Sequence, residues 1–158
     1  MLIDINNLPE DYSLAGCIEY IFEYQALYLL ASDKDLVFLV KAPCRVPAQA
    51  DEPDGSSVFQ TEFPRAAAKW MVDSIENQLW RSEKEGGLPS GINHVECEIA
   101  GENLKIRRSM NAGGPGEKGF LLINFSRPDL KFQSVGYQEF QISDALLKSR
   151  VLALLRNL

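Results

Sequence analysis

Apolar and polar positions alternate most regularly over residues 93–126, where HVECEIAGENLKIRRSM is followed by a glycine-rich stretch and an apolar run. Glycine first in the pair Gly101-Glu102 suits a type II′ turn, which needs a positive φ at its first central position. Closing a hairpin there sets Ala100 against Asn103, Ile99 against Leu104, Glu98 against Lys105, Cys97 against Ile106, Glu96 against Arg107 and Val95 against Arg108. Side chains alternate across a strand, so Val95, Cys97, Ile99, Leu104 and Ile106 share the apolar face. The opposite face pairs Glu96 and Glu98 with Arg107 and Lys105. Arg108 falls on the apolar face and has to snorkel to solvent or meet a partner.

The same reading extends along the chain. Leu8-Pro9-Glu10-Asp11 places proline and acids where a first helical turn tolerates them, which predicts a third, N-terminal helix over about 10–23. The alternation of Ile18, Tyr20, Phe22, Tyr24, Ala26, Tyr28 and Leu30 argues for a strand instead, and it is assigned to a strand over about 25–31. A turn at Ser32–Asp35 leads to a strand over 36–41 that pairs back. Residues 42–57, with three prolines and three acids, read as a mobile loop, and 58–63 as a short edge strand.

Helical spacing is plainest over 64–80. Pro64 suits a first position, and Ala67, Met71, Ile75 and Leu79 form an i, i+4 ladder flanked by Ala68 and Val72. Gly86-Gly87 close the polar segment that follows. The glycine-rich loop at about 111–119 connects to a continuous apolar run, Phe120–Phe125, that suits a central strand covered on both faces. A last strand covers 137–142. Ser143 then caps a helix over 143–157, with Leu147, Val151, Leu154 and Leu158 as its stripe. The fold class expected is α+β: one domain over 1–158, an antiparallel sheet of about five to seven strands, and two main helices packed on it.

Composition changes little in this picture. The chain has 158 residues, 46% hydrophobic and 24% charged, ordinary for a globular protein with one core. No apolar run approaches the roughly 20 residues of a membrane span. The N-terminus lacks the basic-then-apolar pattern of a signal peptide. Three widely spaced cysteines form neither a disulfide framework nor a zinc set with the single His94, so a cytoplasmic location without cofactor or metal is expected. The net charge is −6, with acids concentrated before Asn103 and bases prevailing after it. Such asymmetry can mark a partner surface, although two halves sharing one domain neutralise each other.

Three functional readings follow. The glycine run Gly113-Gly114-Pro115-Gly116-Glu117-Lys118-Gly119 is no phosphate loop, because a strand rather than a helix follows Lys118. An enzyme would need a site assembled around His94, which lacks a nucleophile at motif spacing and points away from Cys97. A single-stranded nucleic-acid binder would present basic and aromatic side chains on an uncovered sheet face, drawing on Arg107, Arg108, Lys118, Arg127 and Lys131. The acidic isoelectric point of about 4.8 and the glutamates expected opposite the basic pair weigh against it. The leading expectation is a non-enzymatic adaptor or chaperone-like module, acting through a protein partner or as a homodimer through its C-terminal helix. Trp80, Arg108, Phe132 and Tyr137 are the contacts it would use.

Overall fold

A computed structural model describes residues 2–19, 25–44, 46–131 and 136–158. Eight strands form two antiparallel sheets of four, each in sequential order and each followed by a helix. The first sheet is β1 (Ser13–Glu19), β2 (Ala26–Ala31), β3 (Asp35–Pro43) and β4 (Ser56–Pro64). Helix α1 (Ala67–Ser74) follows and runs on through a π-helical turn, Ile75–Leu79. The second sheet is β5 (His94–Ile99), β6 (Glu102–Met110), β7 (Lys118–Asn124) and β8 (Gln138–Ser143). Terminal helix α2 comprises Asp144–Leu146, a π-helical stretch Leu147–Val151 and Leu152–Arg156.

The α+β class stands, but the single sheet of five to seven strands does not. Alternation identifies strands without saying which edges join. Here α1 redirects the chain between β4 and β5, and the last strands of the two sheets meet through side chains rather than a ladder. Thr61 Oγ1 donates to the Glu139 carbonyl at 3.2 Å, and Gln138 Oε1 accepts from the Glu62 amide at 2.7 Å.

One core fills the space between the sheets and the helices. Leu27, Leu36, Phe38 and Phe63 come from the first sheet, and Ile106, Phe120, Leu122 and Phe140 from the second. Met71 and Ile75 of α1 and Leu147, Val151 and Leu155 of α2 close it. Phe38 and Phe140 stack across the sheets with centroids 4.9 Å apart. Burying each such side chain stabilises the fold by roughly 1.5–3 kcal/mol. Ala67, Met71 and Ile75 of the i, i+4 ladder are buried as their spacing implies, and Leu79 is half-buried against the core. The wide stripe of α2 also faces this core, and Leu154 lies against Gly16 of β1. Ser143 caps α2 by accepting from the Leu146 amide.

Three expected elements differ. Residues 13–19 are a strand, not part of a helix, because the β-type alternation through Ile18 pairs them with β2; residues 20–23 of the expected helix lie outside the described residues. The stretch before β1 is an extended arm whose Ile3, Ile5, Leu8 and Tyr12 cover Leu30, Val37, Leu39 and Val58 on the outer face of the first sheet. Pro64 ends β4, paired with Asp35, so α1 begins three residues later. The ends of 42–57 join β3 and β4.

The β5–β6 hairpin closes one residue earlier than Gly101-Glu102 would dictate. Its turn is Ala100-Gly101, with φ of 51° and 79°, so both central residues are left-handed as in a type I′ turn. Glu96 therefore faces Lys105, Glu98 faces Asn103 and His94 faces Arg107. The apolar and polar faces are unchanged, since moving the turn by one residue shifts every cross-strand partner by two positions.

Candidate functional site

The two sheets differ on their outer faces. The arm covers the first, whereas none of the described residues forms such an apolar cover over the second. Period-two alternation fixes what the second sheet presents. Across its four strands run His94, Arg107, Leu121 and Gln141, then Glu96, Lys105, Ile123 and Glu139. Past the ends of β7 and β8, Phe125, whose amide donates to the Asn103 carbonyl, and Tyr137 continue the row begun by Glu98 and Asn103. Lys105 Nζ lies 3.4 Å from Glu96 Oε1. Arg107, which faces His94, is exposed. At the other end Phe125, 44% exposed, packs edge-on to Tyr137 with centroids 5.1 Å apart. The expectation that Phe120–Phe125 is covered on both faces fails at half-buried Leu121 and exposed Phe125, while Ile123 between them on the outward row is buried, 5% exposed.

The expected contact residues are dispersed. Trp80 is half-buried against Phe120 and donates from Nε1 to Asp144 Oδ1 at 3.0 Å. Lys148 Nζ sits 5.0 Å from its ring centroid. Arg108 meets the partner its position demands: Nη1 donates to both Asp144 oxygens at 3.1 and 3.0 Å, and the guanidinium lies 4.4 Å over Phe120. Tyr137 belongs to the open face. Phe132 lies outside the described residues.

The five basic residues of the nucleic-acid reading separate into two groups. Arg107, Arg108 and Lys118 stand where β6 ends and β7 begins, and Arg108 and Lys118 line a hollow of about 330 Å³ with Asn93, Ser109 and Met110. Arg127 and Lys131 belong to the far loop. Lys131 pairs with Asp51 and covers the Phe59 ring. Arg127 is gathered by three carboxylates, with Nε 2.6 Å from Glu102, Nη2 2.7 Å from Asp35 and Nη1 3.4 Å from Glu62. These hydrogen bonds, Glu102 first, raise the Arg127 pKa against burial. Burial pushes Glu102 upward, but hydrogen bonds from Arg127 and Asn124 together hold its carboxyl below the usual range. Tyr12 is pushed up to about 12 by burial and by its hydrogen bond to Asp35. This latch joins the arm, both sheets and the far loop; its members lie far apart in the chain, and no spacing betrays them.

His94 is half-buried at the sheet edge with Nδ1 3.3 Å from Asn93 Oδ1. A groove of about 860 Å³ between α1 and α2 lies elsewhere, floored by Ala68, Val72 and Leu155. Among the described residues no group of three or more His, Cys, Asp or Glu side chains could hold a metal ion. Burial, then Glu19, raises the Cys17 thiol pKa. No helix among the described residues is long and apolar enough to cross a membrane.

The chain matches no protein-family model, and neither curated proteins nor solved structures give a significant match.

Proposed function

We propose that this protein is a non-enzymatic protein-binding module whose contact surface is the open outer face of the second sheet. The observation that carries the reading is the make-up of that face: an aromatic pair, exposed Phe125 against half-buried Tyr137, beside mixed charges in which Glu96, Glu98 and Glu139 outnumber Lys105 and Arg107. Aromatic anchors within a polar surround are typical of protein contacts. The homodimer through α2 has less behind it, since the apolar stripe of that helix is taken up by the core. The test is panning of a displayed random-peptide library on the wild type and on the Phe125→Ser/Tyr137→Ser double variant. Peptides enriched on the first and lost on the second support the reading; equal enrichment counts against it.

A second reading, binding of single-stranded nucleic acid, is favoured by one observation. The hairpin register leaves Arg107 opposite His94 rather than a glutamate, on the same open face as two aromatic rings. The three carboxylates on that face oppose a polyanion. Anisotropy of a labelled oligothymidylate at low and moderate salt separates the readings. Micromolar binding that weakens steeply with salt would put the nucleic acid first.

A further inference from the structure

We infer that β5 is a docking edge for an extended segment of a partner protein that alternates lysine or arginine with apolar residues, added as a fifth strand to the second sheet. The inference rests on the protein-binding reading and names the chemistry of the partner.

Each of the two sheets has two edges, and an unprotected edge is a template for a further strand. Edges β4 and β8 cover one another through Thr61, Glu62 and Gln138. Edge β1 is interrupted by a register shift between Leu14 and Gly16, which breaks the regular ladder a new strand needs. Edge β5 has neither device. It is six residues long, regular in register, and contains no buried residue.

Ladder geometry says which groups are offered. The Arg108 amide donates to the Asn93 carbonyl at 2.9 Å, so odd-numbered residues of β5 exchange hydrogen bonds with β6. The amides and carbonyls of His94, Glu96 and Glu98 then point away from the sheet. Their side chains lie on the outer face, where the Glu96 side chain is 60% exposed and Glu98 faces uncharged Asn103. A strand laid against β5 sets its outward side chains directly opposite these two carboxylates. Its inward side chains extend the row of half-buried Val95, Cys97 and Ile99, of which Val95 and Ile99 pack against the core. Strand β6 already shows this chemistry from the other side, with Lys105 outward between Leu104 and Ile106.

The same carboxylates argue against a second copy of this chain. In the two antiparallel β5–β5 registers that keep the faces and overlap most, Glu96 of one copy stands opposite Glu96 or Glu98 of the other, and like charges directly opposite are destabilising. The edge therefore rejects itself and accepts a cationic strand.

The test uses the whole chain and three nine-residue peptides: alternating lysine and valine, alternating glutamate and valine, and a shuffled lysine–valine composition. Amide exchange is followed by NMR. The expected result is binding of the lysine–valine peptide with slowed exchange at His94, Glu96 and Glu98, no such protection from the other two, and affinity lowered about fivefold by Glu96→Gln/Glu98→Gln. Equal protection by the shuffled or glutamate peptide, or binding without protection of those amides, overturns the proposal. So does protection produced by oligothymidylate, or by dimerisation of the chain alone in sedimentation. If panned peptides depend on Phe125 and Tyr137 while the β5 amides stay unprotected, the edge proposal falls and the protein-binding reading stands. If panning and the lysine–valine peptide both fail, both fall.

Discussion

Arg107 stands opposite His94 in the β5–β6 ladder, and Glu96, its expected partner, stands opposite Lys105. The turn decides this. Ala100 and Gly101 both take positive φ, so the hairpin closes between Ile99 and Glu102. An alanine at φ 51° carries a left-handed strain of about 1 kcal/mol that asparagine or glycine relieves. Ala100→Asn is expected to stabilise the protein by about 1 kcal/mol, since Asn-Gly suits this turn. Gly101→Ala is expected to cost about 1 kcal/mol through its φ alone, as a Cβ there meets open space. Urea unfolding of both variants measures this, and an unchanged midpoint for Gly101→Ala would show that another feature sets the register.

The hairpin also shows how far sequence reaches. Alternation of Val95, Cys97, Ile99, Leu104 and Ile106 fixes which face is buried, and either register satisfies it. Charge pairing favours the expected register, which gives both Glu96 and Glu98 a basic partner, and the turn overrides it: in the structure only Glu96 faces a base, Lys105, while Glu98 faces Asn103. The helices over 67–79 and 144–156 are legible because their stripes repeat at helical spacing and nothing competes. Residues 13–19 carry both periods, and pairing with β2 resolves them. The division into two sheets is hidden because it depends on edges, not on faces. The open face is half-legible: Arg107 and Tyr137 can be named in advance, while Phe125 reads as the end of a buried run.

Asp144 is the common acceptor for Arg108 and Trp80. Asp144→Asn keeps an acceptor for the indole but removes the charge that Arg108 meets. A hydrogen bond to a charged group is worth about 1.5–3 kcal/mol, so this variant is expected to lose about 1–2 kcal/mol. Asp144→Ala should lose more and shift Trp80 emission to the red, whereas Asp144→Asn should leave emission near its original wavelength. Thermal unfolding and tryptophan fluorescence read the two effects separately.

Tyr12 ties the N-terminal arm to Asp35. Its folded pKa of about 12 lies above the ordinary value near 10, so its contribution to stability is fully present below pH 10 and fades as pH rises through 12. Ultraviolet titration should show a phenol that resists ionisation at pH 11 and vanishes in Tyr12→Phe. Hydrogen exchange in β3 and β4 should quicken in that variant above the effect seen elsewhere, because the arm covers Val37, Leu39 and Val58.

Arg127 is the cation that Asp35, Glu62 and Glu102 share, and its side chain is only 22% exposed. Removing it leaves three carboxylates crowded without their cation, each keeping one neutral donor: Tyr12 on Asp35, Gln138 on Glu62 and Asn124 on Glu102. Arg127→Ala is expected to destabilise the protein by about 3 kcal/mol at pH 7, the lower end of the range for breaking a buried pair. Arg127→Lys should recover little, since an ammonium cannot reach three acceptors as a planar fork does. The sign of the pH dependence follows from Glu102, whose folded pKa is depressed. Its contribution is present above the unfolded value of about 4.3 and is lost as pH falls through the lower folded value. Urea unfolding at pH 7 and pH 3 should therefore show the gap between wild type and Arg127→Ala narrowing at the acid end. A gap of equal size at both pH values would mean that Arg127 acts by packing its stem, not by holding the sheets together through charge.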